Sequence, residues 1–125
     1  MPKRITIKPY DSYNVATFVI HDDVIYIGHF GGSYDGAGNK LLTVEEQTIQ
    51  TFRNLEKALQ EIHLGLPNLL KVTVILRDIS DFDGMHAAWK HVFSSSEGYP
   101  VRTTITSDFV DAHCRIQVEG IASMS

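Results

Sequence analysis

The sequence predicts an α+β fold: one mixed β-sheet with two helices packed on a single face. Three observations carry this reading. Short runs of alternating or β-branched residues recur along the chain, and two longer segments repeat apolar residues at helical spacing. Their order is strand, hairpin, helix, strand, helix and two further strands, as expected for helices laid on one sheet. The 125 residues suffice for one domain, 1–125, with 43% hydrophobic residues to build its core. No repeat, linker or low-complexity segment divides it.

Arg4 to Lys8 alternates, with Ile5 and Ile7 on one side, and reads as the first strand. Asn14 to Ile20 and Val24 to His29 are β-branched and aromatic runs joined by His21-Asp22-Asp23, a hairpin whose strands are apolar on both faces. Such strands require cover on both sides, from helices on one and from another subunit on the other. Gly31 to Gly38 holds four glycines but lacks a following Lys-Ser/Thr, so it reads as a turn and not as a phosphate cradle.

Thr43 and Glu46 form a capping box that opens the first helix. Ile49, Phe52, Leu55, Leu59 and Ile62 follow on one face, and Leu64-Gly65 with Pro67 beyond marks the end. Leu70 to Arg77 is a strand with Val72, Val74 and Leu76 on one face. Ser80 and Asp83 suggest a second capped helix carrying Phe82, Met85, Trp89 and Phe93 at core spacing. A polar loop, Ser94 to Tyr99, leads to two adjacent strands, Val101 to Thr106 and Arg115 to Ala122.

Composition excludes several functions. Acidic residues outnumber basic ones 15 to 11, for a formal charge of −4, and Lys3-Arg4 is the only adjacent basic pair. A surface that neutralises phosphates is therefore not expected, and nucleic acid is disfavoured as a partner. The longest apolar stretch, Val15 to Ile27, is interrupted by His21, Asp22 and Asp23, so no membrane span is expected. One cysteine, Cys114, and an N-terminus without the apolar region of a signal peptide imply a reducing, cytoplasmic setting. The six histidines show no metal-ligand spacing, and neither Cys-x-x-Cys nor G-x-S-x-G occurs. No metal or cofactor is expected.

One chemical feature survives these exclusions. Arg102 follows Pro100 on a strand and shares a face with Thr104 and Thr106. A guanidinium held this way is a rigid bidentate receptor for a carboxylate or phosphate.

The surrounding residues resemble the C-terminal signature of the RidA/YjgF/YER057c/UK114 family, approximately P-x-R-[ST]-x-x-x-V, a loop, then x-I-E-[IV]-E-x-I-A. Pro100, Arg102 and Thr103 match the first part; Ile116, Val118, Glu119, Ile121 and Ala122 match the second. The likeness extends to Tyr13, the run VIYIGHFGG, Gln47-Thr48, Asn54-Leu55 and Val72 to Phe82. It implies a chorismate-mutase-like fold in a homotrimer, three sheets enclosing a barrel with ligand clefts at the subunit boundaries. The activity implied is hydrolysis of reactive 2-imino or enamino acids, such as 2-iminobutanoate and 2-iminopropanoate, to 2-keto acids and ammonia, without a cofactor.

By this resemblance Arg102 grips the substrate carboxylate and Thr104 offers a backbone carbonyl to the water or the imine nitrogen. Tyr13 and the Ile27-Gly28 step line the cleft, Ile27 replacing a serine. Two positions depart from the pattern: the water-orienting glutamate falls at Gln117, and an asparagine of the second helix falls at His86. Glutamine can orient water but cannot take a proton at neutral pH. Glu119, on the same strand face, lies roughly 7 Å further on. Two alternatives to the deaminase are implied. One is a non-catalytic trimer that binds small carboxylates; the other, disfavoured by charge, is an endoribonuclease or translation inhibitor.

Overall fold

The structure, a computed structural model, describes residues 1–8 and 10–125. In chain order it contains β1 (Lys3–Ile5), β2 (Phe18–His21), β3 (Val24–Gly31), α1 (Val44–Gln60), β4 (Leu69–Leu76), α2 (Phe82–Val92), β5 (Val101–Thr106) and β6 (Ile116–Ser123). The strands form one mixed sheet in the order β1-β2-β3-β6-β4-β5. Only β4 and β5 run parallel; the other pairs are antiparallel.

The strands expected to be adjacent, β5 and β6, are separated by β4. Their composition explains this. Ile116, Val118 and Ala122 of β6 are fully buried, so this strand takes a central position. β5 carries arginine and threonines and tolerates the edge, which it reaches from β4 through the α2 crossover.

Local chemistry moves several boundaries. The first strand stops at Ile5 because the Ile7 N–H turns to the Thr17 hydroxyl (2.8 Å) and leaves the ladder. The hairpin begins at Phe18, not Asn14: a 3₁₀ turn spans Tyr10–Tyr13, and Asn14 adopts a left-handed φ of 57°. α1 starts on the expected capping box, with the Glu46 N–H on the Thr43 hydroxyl (3.1 Å) and the Thr43 N–H on the Glu46 carboxylate (3.3 Å). It ends a turn early, at Gln60. His63, not Gly65, takes the left-handed conformation (φ 63°), and the Leu64 N–H closes the end on the Leu59 carbonyl. The start of α2 is not capped by Ser80 or Asp83. A 3₁₀ turn, Ile79–Asp81, leads into it under the Asp78 carboxylate, which accepts from the Ser80 N–H.

One sheet face carries the core. Val72, Val74 and Leu76 of β4 and Ile116 and Val118 of β6 pack against Phe52, Leu55 and Leu59 of α1 and Met85 of α2. Phe52 meets Trp89 and Phe93 edge-on, with centroids 5.6 and 5.2 Å apart. Among the described residues the opposite face bears no helix. There Tyr26, Val101 and Ile105 are exposed, while Val19, Ile75 and Ile121 are half-buried.

Candidate functional site

Arg102 is paired in register with Val72 and therefore points to the helix-covered face, under α2. Its guanidinium carbon lies 4.8 Å from the Trp89 ring centroid and 5.6 Å from that of Phe82. Nη1 donates to His86 Nδ1 at 3.0 Å, and the His86 ring stacks on Phe82 with centroids 5.6 Å apart. A guanidinium only donates, so Nδ1 is the acceptor and neutral His86 carries its proton on Nε2. Burial pushes the pKa of Arg102 down. No carboxylate forms an ion pair with it among the described residues. Two other arginines are spent on structure: Arg115 grips Asp81 with two bonds (2.8 and 3.0 Å), and Arg77 binds the carbonyls of Phe109, Asp111 and Cys114. Arg102 is thus a partly desolvated cation, oriented by three aromatic side chains and lacking a counter-charge. Thr104 lies beside it on the same face of this edge strand.

Gln117 sits on the other face. It pairs with Ile75 on one side and Gly31 on the other. Its side chain lines a cavity of about 300 Å³ together with His29, Gly31, Tyr34, Asn54 and Cys114. A methyl group at Gly31 would make only ordinary contacts, 3.6 Å from Cys114 Sγ and 3.8 Å from the Gln117 side chain. Gly32 lets β3 descend onto α1: a methyl group would stand 2.5 Å from the Thr51 nitrogen. The Asn54 side-chain N–H donates to the Gly31 carbonyl (2.8 Å) and is itself oriented by Gln50 (2.9 Å).

Behind this cavity lies fully buried Gln47, whose amide binds three backbone groups. It donates to the carbonyls of Leu41 (2.9 Å) and His113 (3.2 Å) and accepts from the Arg115 N–H (2.8 Å). That clamp sets the entry of β6 and hence the position of Gln117.

The structure therefore brings Arg102 and His86 together, with Thr104 further along the same face of β5, and separately places Gln117 on the uncovered face with exposed Glu119. Gly28 lies in a β-bulge between Ile27 and Phe30, with its N–H on the Thr17 carbonyl. Tyr13 is 72% exposed in its 3₁₀ turn. The Ile27 side chain is buried in the core on the helix-covered face, where its register partner on β2 is the core residue Phe18.

Sequence reasoning assigned Phe82 and Trp89 to the core and missed their role as walls around Arg102. The signal was available: in a strand-helix-strand unit the helix covers one row of the following strand. The clamp made by Gln47 was not legible in helical spacing, although Gln47-Thr48 falls within the family likeness. A larger groove, about 410 Å³, lies between Lys8 and the Lys57–Glu61 end of α1; it shares Gly31 and Asn54 with the Gln117 cavity but is lined by neither Arg102 nor Gln117. Among the described residues no group of three or more metal-ligating side chains gathers. No helix among them is long and apolar enough to cross a membrane.

The family described as Endoribonuclease L-PSP matches residues 3–124. A human protein named 2-iminobutanoate/2-iminopropanoate deaminase is 30% identical over 107 residues, covering 83% of this chain and 75% of that one. A RutC family protein of Aquifex aeolicus is 28% identical over 78 residues, 62% of each chain. A solved structure from Mycobacterium tuberculosis, a member of the YjgF/YER057c/UK114 family, superposes with a TM-score of 0.83 at 14% identity, covering 98% of this chain and 99% of that one.

Proposed function

This chain belongs to the endoribonuclease L-PSP family, also called RidA/YjgF/YER057c/UK114, and on that premise we propose that it is an imine deaminase. It converts 2-imino acids such as 2-iminobutanoate and 2-iminopropanoate to 2-keto acids and ammonia. The observation that carries the proposal is the uncompensated guanidinium of Arg102, which is built to receive a small carboxylate. Holding that carboxylate fixes the imine carbon against a water molecule. The imine is already electrophilic, so positioning and one proton acceptor suffice.

A site that uses both Arg102 and Gln117 needs two copies of the chain, because the two lie on opposite faces of one sheet. The β5 edge of one copy would meet the uncovered face of the next, burying Val101, Ile105 and Tyr26. The expected assembly is a homotrimer with clefts between subunits. Light scattering at micromolar concentration checks it, and a monomer would refute the shared site.

The activity test is a coupled assay in which a dehydratase generates 2-iminobutanoate from threonine and keto-acid formation is followed. Gln117→Glu is expected to raise the rate about 10²-fold, the low end of a general-base contribution, with unchanged affinity for 2-ketobutyrate. One observation favours a second reading: glutamine at 117 would suit a protein that binds small carboxylates without turning them over. Binding of 2-ketobutyrate with no turnover in the assay would select it.

A further inference from the structure

We propose that Asp81 and Arg115 are positioning residues that align the two halves of the site, an inference that rests on the deaminase reading above. Asp81 is 7% exposed and immediately precedes α2, whose Phe82, His86 and Trp89 surround the Arg102 guanidinium. Those three recur four and three residues apart, so they share one face and move together when the helix turns. Arg115 immediately precedes β6 and stands two residues before Gln117. Its guanidinium bridges to the helix with two bonds, Nη2 to Asp81 Oδ1 at 2.8 Å and Nε to Oδ2 at 3.0 Å. The Asp81 carboxylate makes no capping bond to the first turn of α2 and is committed to Arg115.

The Arg115 backbone is held as firmly as its side chain. Its N–H donates to the Gln47 side chain (2.8 Å), and its carbonyl accepts from the Arg77 N–H (3.0 Å). The ion pair is therefore anchored beside the sheet at one end and carries the start of α2 at the other. Apolar packing between helix and sheet is non-directional, whereas a guanidinium–carboxylate fork sets direction as well as distance. Desolvation of Asp81 offsets most of the attraction, so what the pair adds is orientation more than net stability. In the assembly proposed above, Arg102 and Gln117 of one chain serve different clefts, and one such pair aligns a half-site in each.

Removing the Asp81 charge does not strand the arginine. Asp78 and Glu45 also act on Arg115, whose pKa is raised chiefly by the bond to Asp81, with smaller contributions from those two charges. Without Asp81 the guanidinium can turn toward them. The fold is then kept while the alignment of α2 with β6 is lost.

Trp89 supplies a direct readout: it is the only tryptophan, 8% exposed, and lies 4.8 Å from the Arg102 guanidinium. The test compares wild type, Asp81→Asn, Arg115→Met, their double variant and Arg115→Lys by acrylamide quenching of Trp89 and by kcat/KM in the coupled assay. Asp81→Asn and Arg115→Met should each open Trp89 to the quencher and lower kcat/KM about 10²-fold, the effect of a misplacement of about 1 Å. The double variant should be no worse than either single one, because one interaction is lost in all three. Arg115→Lys keeps the charge without the fork and should fall between them and wild type. Should either single variant not fold, Arg115→Lys decides on the same two readouts. Folded variants with wild-type quenching and kcat/KM, or losses that simply add in the double variant, would overturn the assignment and leave the deaminase reading in place. A wild type that turns over nothing would overturn both.

Discussion

Arg102→Ala is expected to lose binding of small carboxylates such as 2-ketobutyrate by at least tenfold while the protein stays folded. Each charge-assisted bond to a carboxylate is worth about 1.5–3 kcal/mol, and two are lost together. The fold should survive because Arg102 lies on an edge strand, forms no ion pair among the described residues and is only half-buried. Removing its stem from Trp89 and Phe82 should cost about 1 kcal/mol. Arg102→Lys is expected to bind poorly as well. An ammonium presents a point charge where the socket of Trp89, Phe82 and His86 orients a planar fork. Isothermal calorimetry with unaltered affinity in Arg102→Ala would remove the receptor role and the deaminase proposal with it.

Gln47→Leu should show the second large effect, this time on stability. The substitution is close in volume but leaves the carbonyls of Leu41 and His113 and the N–H of Arg115 without their partner. An unpaired buried backbone group costs about 1–3 kcal/mol, so a loss of about 3–5 kcal/mol is expected. That is a large part of the roughly 5–15 kcal/mol available to a domain of this size. Urea unfolding should show a clearly lowered midpoint at unchanged slope, and an unmoved midpoint would show that the three groups find other partners. Any folded Gln47→Leu should also have a loosened β6 entry, and with it a less ordered Gln117.

Gln47 shows where reading the sequence stops. On a helix it looks like any solvent-facing amide between two apolar turns. Its partners stand 66 and 68 residues away, and helical spacing carries no record of them. The threonines beside it were hidden the same way. Thr48 and Thr51 are buried because their hydroxyls return to the carbonyls of Val44 and Gln47, a bond within the helix that spacing does not reveal. His63 misled for a different reason. It ends α1 in a conformation usually given to glycine, so the helix stopped before the glycine that seemed to mark its end.

The sequence alone determined the order of the elements, the capped start of α1, the inward rows of β4, the face shared by Arg102 and Thr104, and the family. These are local properties, written in alternation along strands, in three-to-four-residue spacing along helices and in short motifs. Tertiary structure alone decided that β6 enters between β3 and β4, that Ile27 belongs to the core, and that Arg102 and Gln117 face opposite ways. It also decided that rings of α2 enclose the guanidinium. Those outcomes depend on which strand buries more apolar surface and which face the helices cover. Such choices are settled by packing among residues far apart in the chain, where no local pattern registers them.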